Sequence, residues 1–497
     1  MSLPTPLNLP LPVQKVMAAL PQGVPAYLVG GAVRDLLLSR PVHDLDFLLA
    51  GDVMHISRRL ADALGGAFFP LDKERDYARV ILTASDRTRC VMDFAPVKGG
   101  SLESDLRSRD FTLNAVAIDL RNPQVLIDPL GGAADLFARR LRLCSPTSLS
   151  DDPVRVLRAV RLAVNFSLLV TPEMRLLLRS AAPLLASGSP ERMRDELFKV
   201  LCNQQPASAL RILDLVGALP YIFPDLPALK GVEQPPPHVS DVWNHTLDVL
   251  AKLEMVLGVL EREYDPDRAA NLMLGLAVFR LGRYRQQVSA HLEMLFTPDR
   301  SLRSLLFLAA LYHDVAKPAA RQVDEGGRIR FFQHDQLGAD LAHQRGRALR
   351  LSNEEIIRLE TIVRGHMRPL LLAQAPDQPT PRAVYRYFRD LGPAGVDICL
   401  LSLADTLATY EATLPQETWS RQLDVVRCLW EAYWEKPQER IAPPPLLDGH
   451  ELMGKFKLSP GPLIGQLLEA LREAQAVGQV ANQEEAFSFV QQLLDQG

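Results

Sequence analysis

Two aspartates, Asp44 and Asp46, stand two residues apart at the head of the apolar run Phe47-Leu48-Leu49. On a strand, residues i and i+2 face the same side, so the carboxylates lie side by side and repel unless a cation relieves them. Hard oxygen donors suit Mg²⁺ or Mn²⁺. A third acid, Asp93, sits in a separate strand-like run, Cys90 to Phe94. Upstream, Leu28-Val29-Gly30-Gly31 leads into Ala32-Val33-Arg34-Asp35, the pattern of a strand, a Gly-Gly turn and a helix start. Such a turn offers free backbone N–H groups to a phosphate, and Arg34 adds a charged fork. The third glycine of a dinucleotide fingerprint and the Gly-Lys-Ser/Thr of a P-loop are both absent. Alone, the turn is usually a plain turn and the acid pair a solvated strand start. Three acids below a phosphate-binding turn suit two-metal nucleotidyl transfer, one ion activating a 3′-hydroxyl and the other holding a triphosphate.

A second set of candidate residues is rich in histidine. Seven of the ten histidines fall between His238 and His366. An apolar helical run from Phe307 ends in His313-Asp314, while His245 and Asp405 lie in helical stretches before and after it. Neutral imidazoles with carboxylates make a mixed site for Mn²⁺, Fe²⁺, Ni²⁺ or Mg²⁺. A lone buried histidine is more often a satisfied core residue. The order H…HD…D resembles the HD-domain metal phosphohydrolases, and that resemblance implies His245, His313, Asp314 and Asp405 as metal ligands, with an ion-bound water attacking a phosphate ester. It also implies His334 and His366 as contacts to a second ion or to substrate. His238, His291 and His343 read as structural.

The elements that must position these groups change character along the chain. The first 145 or so residues mix strand-like runs (Ala26 to Val29, Leu45 to Leu49, Ala78 to Leu82, Cys90 to Phe94, Val125 to Ile127) with helical ones. From Asp151 onward apolar residues recur at helical spacing and no strand is expected. Pro-rich breaks at Gln234 to His238 and Ile441 to Pro445 punctuate the helical part. At roughly 150 residues per domain, 497 residues make about three domains. A hydrophobic share of 47% and a charged share of 23% exclude a disordered chain. Five scattered cysteines with no C-x-x-C pair argue against a disulfide frame or thiolate zinc and favour a reducing cytoplasm. No basic n-region or membrane-length apolar run is seen, so neither secretion nor a membrane is expected. A net charge of -4, from 55 basic and 59 acidic residues, gives no overall basic surface. Acids that hold cations offset that balance, and RNA contact needs only a local basic strip.

Five ordered motifs carry a more specific resemblance. Gly30-Gly31-x-x-Arg34-Asp35 with Asp44-x-Asp46 is followed by Arg109-Asp110-Phe111-Thr112-Leu113-Asn114-Ala115, then by Asp128-Pro129-Leu130-Gly131-Gly132 with Asp135. Asp151-Asp152-Pro153-Val154-Arg155 with Arg158 and Arg161, and Glu191-Arg192 with Glu196, complete the series. This set resembles the class II tRNA nucleotidyltransferase (CCA-adding) and bacterial poly(A) polymerase family, of the polymerase β superfamily. The resemblance implies an α+β chain with a polymerase-β-like head and small sheet, then helical regions. The expected boundaries are residues 1–145 for the head, 146–233 for a neck that selects nucleotides and binds RNA, 234–440 for an HD domain and 441–497 for a tail containing a long amphipathic helix. It implies Asp44, Asp46 and Asp93 as catalytic metal-binding acids. It implies Gly30, Gly31 and Arg34 at the triphosphate, Asp110 at a ribose hydroxyl, Asp152 and Arg155 at the Watson-Crick edge of the base, and Asn114, Arg158 and Arg161 as further nucleotide contacts. Asp152 and Arg155, three apart, share a helix face, and Asp151 or Asp152 suits the helix N-cap, with Pro153 in its first turn.

The implied reaction is template-independent addition of CCA, or part of it, to the 3′ end of tRNA from CTP and ATP, with Mg²⁺ in the head and a divalent transition metal or Mg²⁺ in the HD domain. The alternatives are a poly(A) polymerase acting on RNA 3′ ends, and an HD phosphohydrolase with a nucleotide-binding head. Three departures bear on specificity. Ser108-Arg109 replaces a paired arginine, Asp151 stands where the family commonly has Glu, and Lys73 to Arg79 lacks the glycine of the family's flexible loop.

Overall fold

The computed structural model describes residues 8–42, 44–83, 89–262, 264, 271–298 and 300–496. The chain is α+β and divides into two compact units, Met1–Gly188 with Leu215–Tyr221, and Ser189–Asp214 with Ile222–Gly497.

The first unit is built on one seven-stranded sheet. Its strands are β1 (Ala26–Val29), β2 (Asp44–Leu49), β3 (Ala67–Asp72), β4 (Tyr77–Thr83), β5 (Arg89–Pro96), β6 (Ala117–Asp119) and β7 (Leu126–Ile127), in the order β3-β4-β5-β2-β1-β6-β7. Among the described residues of the sheet, only β2 and β5 pair in parallel. The alternation in β2 decides which face is which: Leu45, Phe47 and Leu49 are buried, whereas Asp44 and Asp46 reach solvent. Beneath the apolar face lie α1 (Leu11–Ala19) and α3 (Val53–Leu64), whose Val13, Val16, Val53, Ile56 and Leu60 complete the core. Phe47 and Phe94 stack there with ring centroids 4.9 Å apart, and burial of each such side chain contributes about 1.5–3 kcal/mol. Helix α3 starts at Asp52, which accepts from His55 N, and stops at Gly65 in the left-handed conformation.

Two strands of this sheet were not expected. The edge strand β3 leaves Phe69 and Leu71 exposed, so it lacks an alternating signature, and β6 spans only three residues. The turn at Lys73 to Asp76 is tied at both ends. Asp72 Oδ1 accepts from Glu74 N and Arg75 N at 3.0 Å each. Asp76 accepts from Val53 N and Met54 N at 2.7 and 2.9 Å.

Helix α4 (Leu102–Arg107) lies between β5 and β6, and α5 (Gly132–Phe137), α6 (Ser148–Asp151) and α7 (Arg155–Asn165) follow β7. Helix α2 (Gly31–Leu37) follows β1. Gly132 packs so closely that a Cβ there would lie 1.9 Å from the Thr112 carbonyl oxygen.

The second unit is mostly helical. Its helix Ala394–Tyr410 is apolar nearly all round and buried from Ala394 to Ala408, as a central core helix must be. The helices Val242–Val259, Leu302–Tyr312 and Asn353–Gly365 pack with it. The expectation of no strand fails locally: two hairpins form, Leu295–Thr297 with Arg300–Ser301 and Arg321–Val323 with Ile329–Phe331. The second closes through Asp324 to Gly327, where Gly327 has φ 77°. Instead of one long amphipathic helix, the tail forms three, Gly449–Phe456, Pro462–Ala476 and Gln483–Gln496. Lys457 and Gly478, both with positive φ, interrupt the run. The three share a small core around Leu452, Leu467 and Val490. Among the described residues no single helix is long and apolar enough to cross a membrane.

Candidate active site and histidine centre

The parallel pairing of β2 and β5 sets Asp46 directly beside Asp93, and the alternation places Asp44 on the same face. Crowding by surrounding protein and the neighbouring Asp93 carboxylate raise the Asp46 carboxyl above its ordinary range, with Asp44 adding to the effect and Arg109 opposing it. Carboxylates crowded together in this way fit a divalent cation. Asp93 is also gripped by Arg79, its cross-strand neighbour on β4, through Nε at 2.7 Å and Nη2 at 2.9 Å. Gly30 approaches from β1. Its φ of 71° and ψ of −137° suit glycine, and a Cβ there would lie 3.2 Å from Arg109 Nη1 and 3.4 Å from Asp46 Oδ2.

Arg34, on α2, is locked rather than free. It pairs with Asp35 through Nε and Nη2 at 3.0 Å each and donates from Nη1 to Asn114 Oδ1 at 2.8 Å. Asn114 Nδ2 donates to Asp110 Oδ1 at 3.2 Å, and that same oxygen accepts from Phe111 N at 2.7 Å. The other Asp110 oxygen, Oδ2, pairs with Arg158 of α7 at 2.8 Å. Arg155 binds Ser148 Oγ at 2.6 Å and approaches Asp152 at 3.8 Å. Thus Arg34, Asn114, Asp110 and Arg158 form one connected chain, with Asp152 and Arg155 at the start of α7. Arg161 lies one turn beyond Arg158 on that helix.

The expected helix cap takes a different form. Among the described residues, no side-chain hydrogen bond is formed from the N-cap position of α7, Val154. Asp152 Oδ1 instead accepts from Val154 N at 3.3 Å in a local turn, and Asp151 ends the short helix α6 and pairs with Thr147. Asp105 was not anticipated: it is buried, accepts from Lys98 N and pairs with Arg109 at 3.2 Å. The four-residue spacing Asp105–Arg109 was a legible sign of it.

In the second unit, Asp314 is the hub of the histidine centre. Its Oδ2 lies 3.1 Å from His313 Nε2 and 3.7 Å from His245 Nε2; its Oδ1 lies 3.4 Å from His334 Nε2 and 3.8 Å from His366 Nε2. Asp405 Oδ1 is 3.0 Å from His245 Nε2. Two triads, His245-His313-Asp314 and Asp314-His334-His366, each bring their ligand atoms within 4.8 Å of one another.

Backbone carbonyls orient three of the rings: Ala310 O, Phe331 O and Val363 O meet Nδ1 of His313, His334 and His366 at 2.7 to 2.8 Å. Those contacts put the proton on Nδ1 and turn the Nε2 lone pairs inward. Nε2 of His245 and of His313 are buried and face carboxylate oxygens at 3.0 and 3.1 Å without forming aligned hydrogen bonds, which fits imidazole and carboxylate donors converging on a cation. Burial, with the neighbouring His313 and His334, lowers His366 to about 4, so it is neutral and able to ligate. Asp314 is pushed up by burial but held well below the carboxylate range by His313 and Lys317.

Lys317, also unanticipated, donates to Asp314 Oδ2 and to Gln234 Oε1 at 2.6 Å each; its place three residues after Asp314 was the available signal. His238, expected to be structural, packs edge-on against His245 with centroids 5.1 Å apart. His291 binds buried Asp397 at 2.7 Å, and His343 binds Glu360 at 3.0 Å.

Comparison with known proteins places these two centres in a family. The profile described as the poly A polymerase head domain matches residues 26–142. That of the probable RNA and SrmB-binding site of polymerase A matches residues 168–229. The HD domain profile matches residues 280–409, including His313, Asp314, His334, His366 and Asp405. The A-adding tRNA nucleotidyltransferase of Deinococcus radiodurans is 36% identical over 474 residues, spanning 94% of this chain and 95% of that protein. The CC-adding tRNA nucleotidyltransferase of Geobacter sulfurreducens is 32% identical over 490 residues, spanning 97% and 95%. A solved structure of a CCA-adding enzyme in an apo form shares the fold, with a TM-score of 0.59 at 19% identity over 97% of this chain and 93% of that one. By similarity over nearly its whole length, the chain belongs to the class II tRNA nucleotidyltransferase and poly(A) polymerase family, with a polymerase β-type head and an HD domain.

Proposed function

We propose that this enzyme completes the 3′ end of tRNA, adding CCA from CTP and ATP without a nucleic-acid template. The observation that carries the reading is the alignment of Asp44, Asp46 and Asp93 on one sheet face beside the turn that bears Gly30 and Arg34. The three acids would hold Mg²⁺. A divalent metal held there would supply activation of the tRNA 3′-hydroxyl and neutralisation of the triphosphate charge. Gly30 and Gly31 leave room for phosphate oxygens, and Arg34 neutralises them from a fixed position. Asp110 holds the ribose, and Asp152 and Arg155 read the base edge, with Arg158 and Arg161 as further contacts along α7. A specialised enzyme adding only CC or only the terminal A is the second reading, favoured by the relatives named for those partial activities.

The test is incorporation into tRNAs ending before the CCA, after the first C and after CC, with CTP or ATP supplied singly and together. A product that stops at CCA supports the main reading, and one that stops at CC, or needs CC to start, supports the second. Long A tracts on unrelated RNA, no incorporation, or incorporation unaffected by Asp44→Ala with Asp46→Ala would overturn both.

The histidine centre supports a further proposal, metal-assisted hydrolysis of a phosphate ester. His245, His313, Asp314 and Asp405 would hold a divalent ion, and His334 and His366 would contact a second ion or the substrate. Opening of a 2′,3′-cyclic phosphate to its monoester, or phosphate release from a nucleotide, that is lost in His313→Ala but retained in Asp46→Ala is the expected result.

A further inference from the structure

The chain of contacts running from Arg158 to Arg34 does not end at Arg34. Arg158 of α7 binds Asp110, Asp110 binds Asn114, and Asn114 binds Arg34. The Arg34 guanidinium carbon then lies 4.3 Å from the ring centroid of Phe166, the C-cap of the same helix α7. The chain is therefore a closed ring that leaves α7 in its first half and returns at its end. A second guanidinium, that of Arg40, lies 4.7 Å from the same centroid. Arg40 also donates to the Asn165 carbonyl at 3.2 Å, so two cations from α2 and its exit turn hold the end of α7. The ring is half-buried and Arg34 is only 12% exposed. A core Phe needs neither cation, and neither Arg34 nor Arg40 needs an aromatic face merely to reach solvent. Bringing all three together fixes the direction of the Arg34 fork.

We propose that Phe166 is a positioning residue for nucleotide addition. Its ring closes this circuit and so sets Arg34 at the triphosphate in register with the nucleotide-reading side chains of α7. The proposal rests on the assignment of Arg34 to the triphosphate made above. Removing the ring leaves the catalytic acids untouched and loosens Arg34, which then rests on Asp35 and Asn114 alone. The cost falls on nucleotide binding, equally for CTP and ATP, because the triphosphate is common to both.

The experiment uses the full-length enzyme and tRNA lacking its 3′ nucleotides. Phe166→Leu keeps apolar volume and removes the π face; Phe166→Tyr keeps the face. Cation–π contacts at partly exposed sites are modest, so Phe166→Leu should raise the KM for each accepted nucleotide about two- to fivefold, with kcat, tRNA affinity and melting temperature near the parent's. Phe166→Tyr should restore the parent KM. The Phe166→Leu effect should shrink or vanish in an Arg34→Met background, a non-additivity that a general packing defect would not show. Arg40→Met, which leaves the ring in place, should raise the KM about two- to threefold and keeps the test decisive if Phe166→Leu does not fold. An unchanged KM in Phe166→Leu, or in Arg40→Met where Phe166→Leu fails to fold, overturns the proposal. So does a fall in kcat alone, or full additivity with Arg34→Met. A parent enzyme that incorporates no nucleotide refutes the functional reading instead, and is distinguished by that first control.

Discussion

Replacing Gly30 with alanine separates backbone geometry from side-chain chemistry at the head. Gly30 adopts φ 71° and ψ −137°, a region almost reserved for glycine, and holding alanine there costs about 1–3 kcal/mol. The added Cβ also meets Arg109 Nη1 at 3.2 Å and Asp46 Oδ2 at 3.4 Å, so the strain is relieved by moving the turn, the acid, or both. Against a domain stability of about 5–15 kcal/mol the unit stays folded, with a melting temperature lower by roughly 2–12 °C. Activity should fall far more. A displacement of reacting groups by about 1 Å costs on the order of 10²-fold in rate, read as kcat for nucleotide addition to tRNA lacking CCA. Gly31→Ala is the matched control: it opens α2, and its Cβ would meet only the Arg34 guanidinium, at 3.3 Å. It should leave the melting temperature unchanged or higher and raise the nucleotide KM with little effect on kcat. The reasoning is refuted if Gly30→Ala matches the parent in kcat, or if the two alanine variants are equally impaired.

Other perturbations test separate parts of the structure. Asp110→Asn removes the charge that meets Arg158 at 2.8 Å. It should cost about 1.5–3 kcal/mol and weaken nucleotide binding; calorimetry and KM values that both match the parent would contradict the network. Glu355 is fully buried and paired with Arg300 at 2.6 Å. Burial pushes its carboxyl up, but Arg300 and the Ser352 N–H hold it below its ordinary value of 4.5. Its contribution is thus complete above that ordinary value and fades as pH falls through the lower folded one. Glu355→Gln should lose about 3–5 kcal/mol at neutral pH and show a shallower acid dependence, which denaturant titrations at neutral and acid pH would reveal; parallel curves would count against it. His313→Ala combined with Asp314→Ala should strip bound divalent ions, measured by elemental analysis, while nucleotide addition persists; unchanged ion content would remove the histidine centre as a metal site.

Much of this was legible in the residues because it depends on local period. Asp44 and Asp46 read as side-by-side because strand alternation is local, and Leu45 and Phe47 advertised the buried face between them. That Asp93 joins the pair was expected from its strand-like run and the family resemblance, but its register directly beside Asp46 is set by tertiary pairing and has no local period to announce it. Arg79 escaped for the same reason: its grip on Asp93 is a cross-strand contact. The edge strand β3 carries Phe69 and Leu71 outward around Pro70 and so hides its period. The order of His245, His313, Asp314 and Asp405 pointed to one centre, but the division of Asp314 between two triads depends on where each oxygen points. Phe166 carried no signal at all, because an aromatic residue near a helix end is common and its cations come from elsewhere in the chain.

The lone parallel pairing in the sheet has a consequence for how the head gains its stability. Asp46 and Asp93 are far apart along the unfolded chain and scarcely feel each other. Once β5 docks against β2 they are neighbours, so their mutual repulsion is a burden carried by the native state alone. A divalent cation held by these acids would therefore stabilise the folded head itself, lifting its melting temperature with the logarithm of the free ion concentration above Kd.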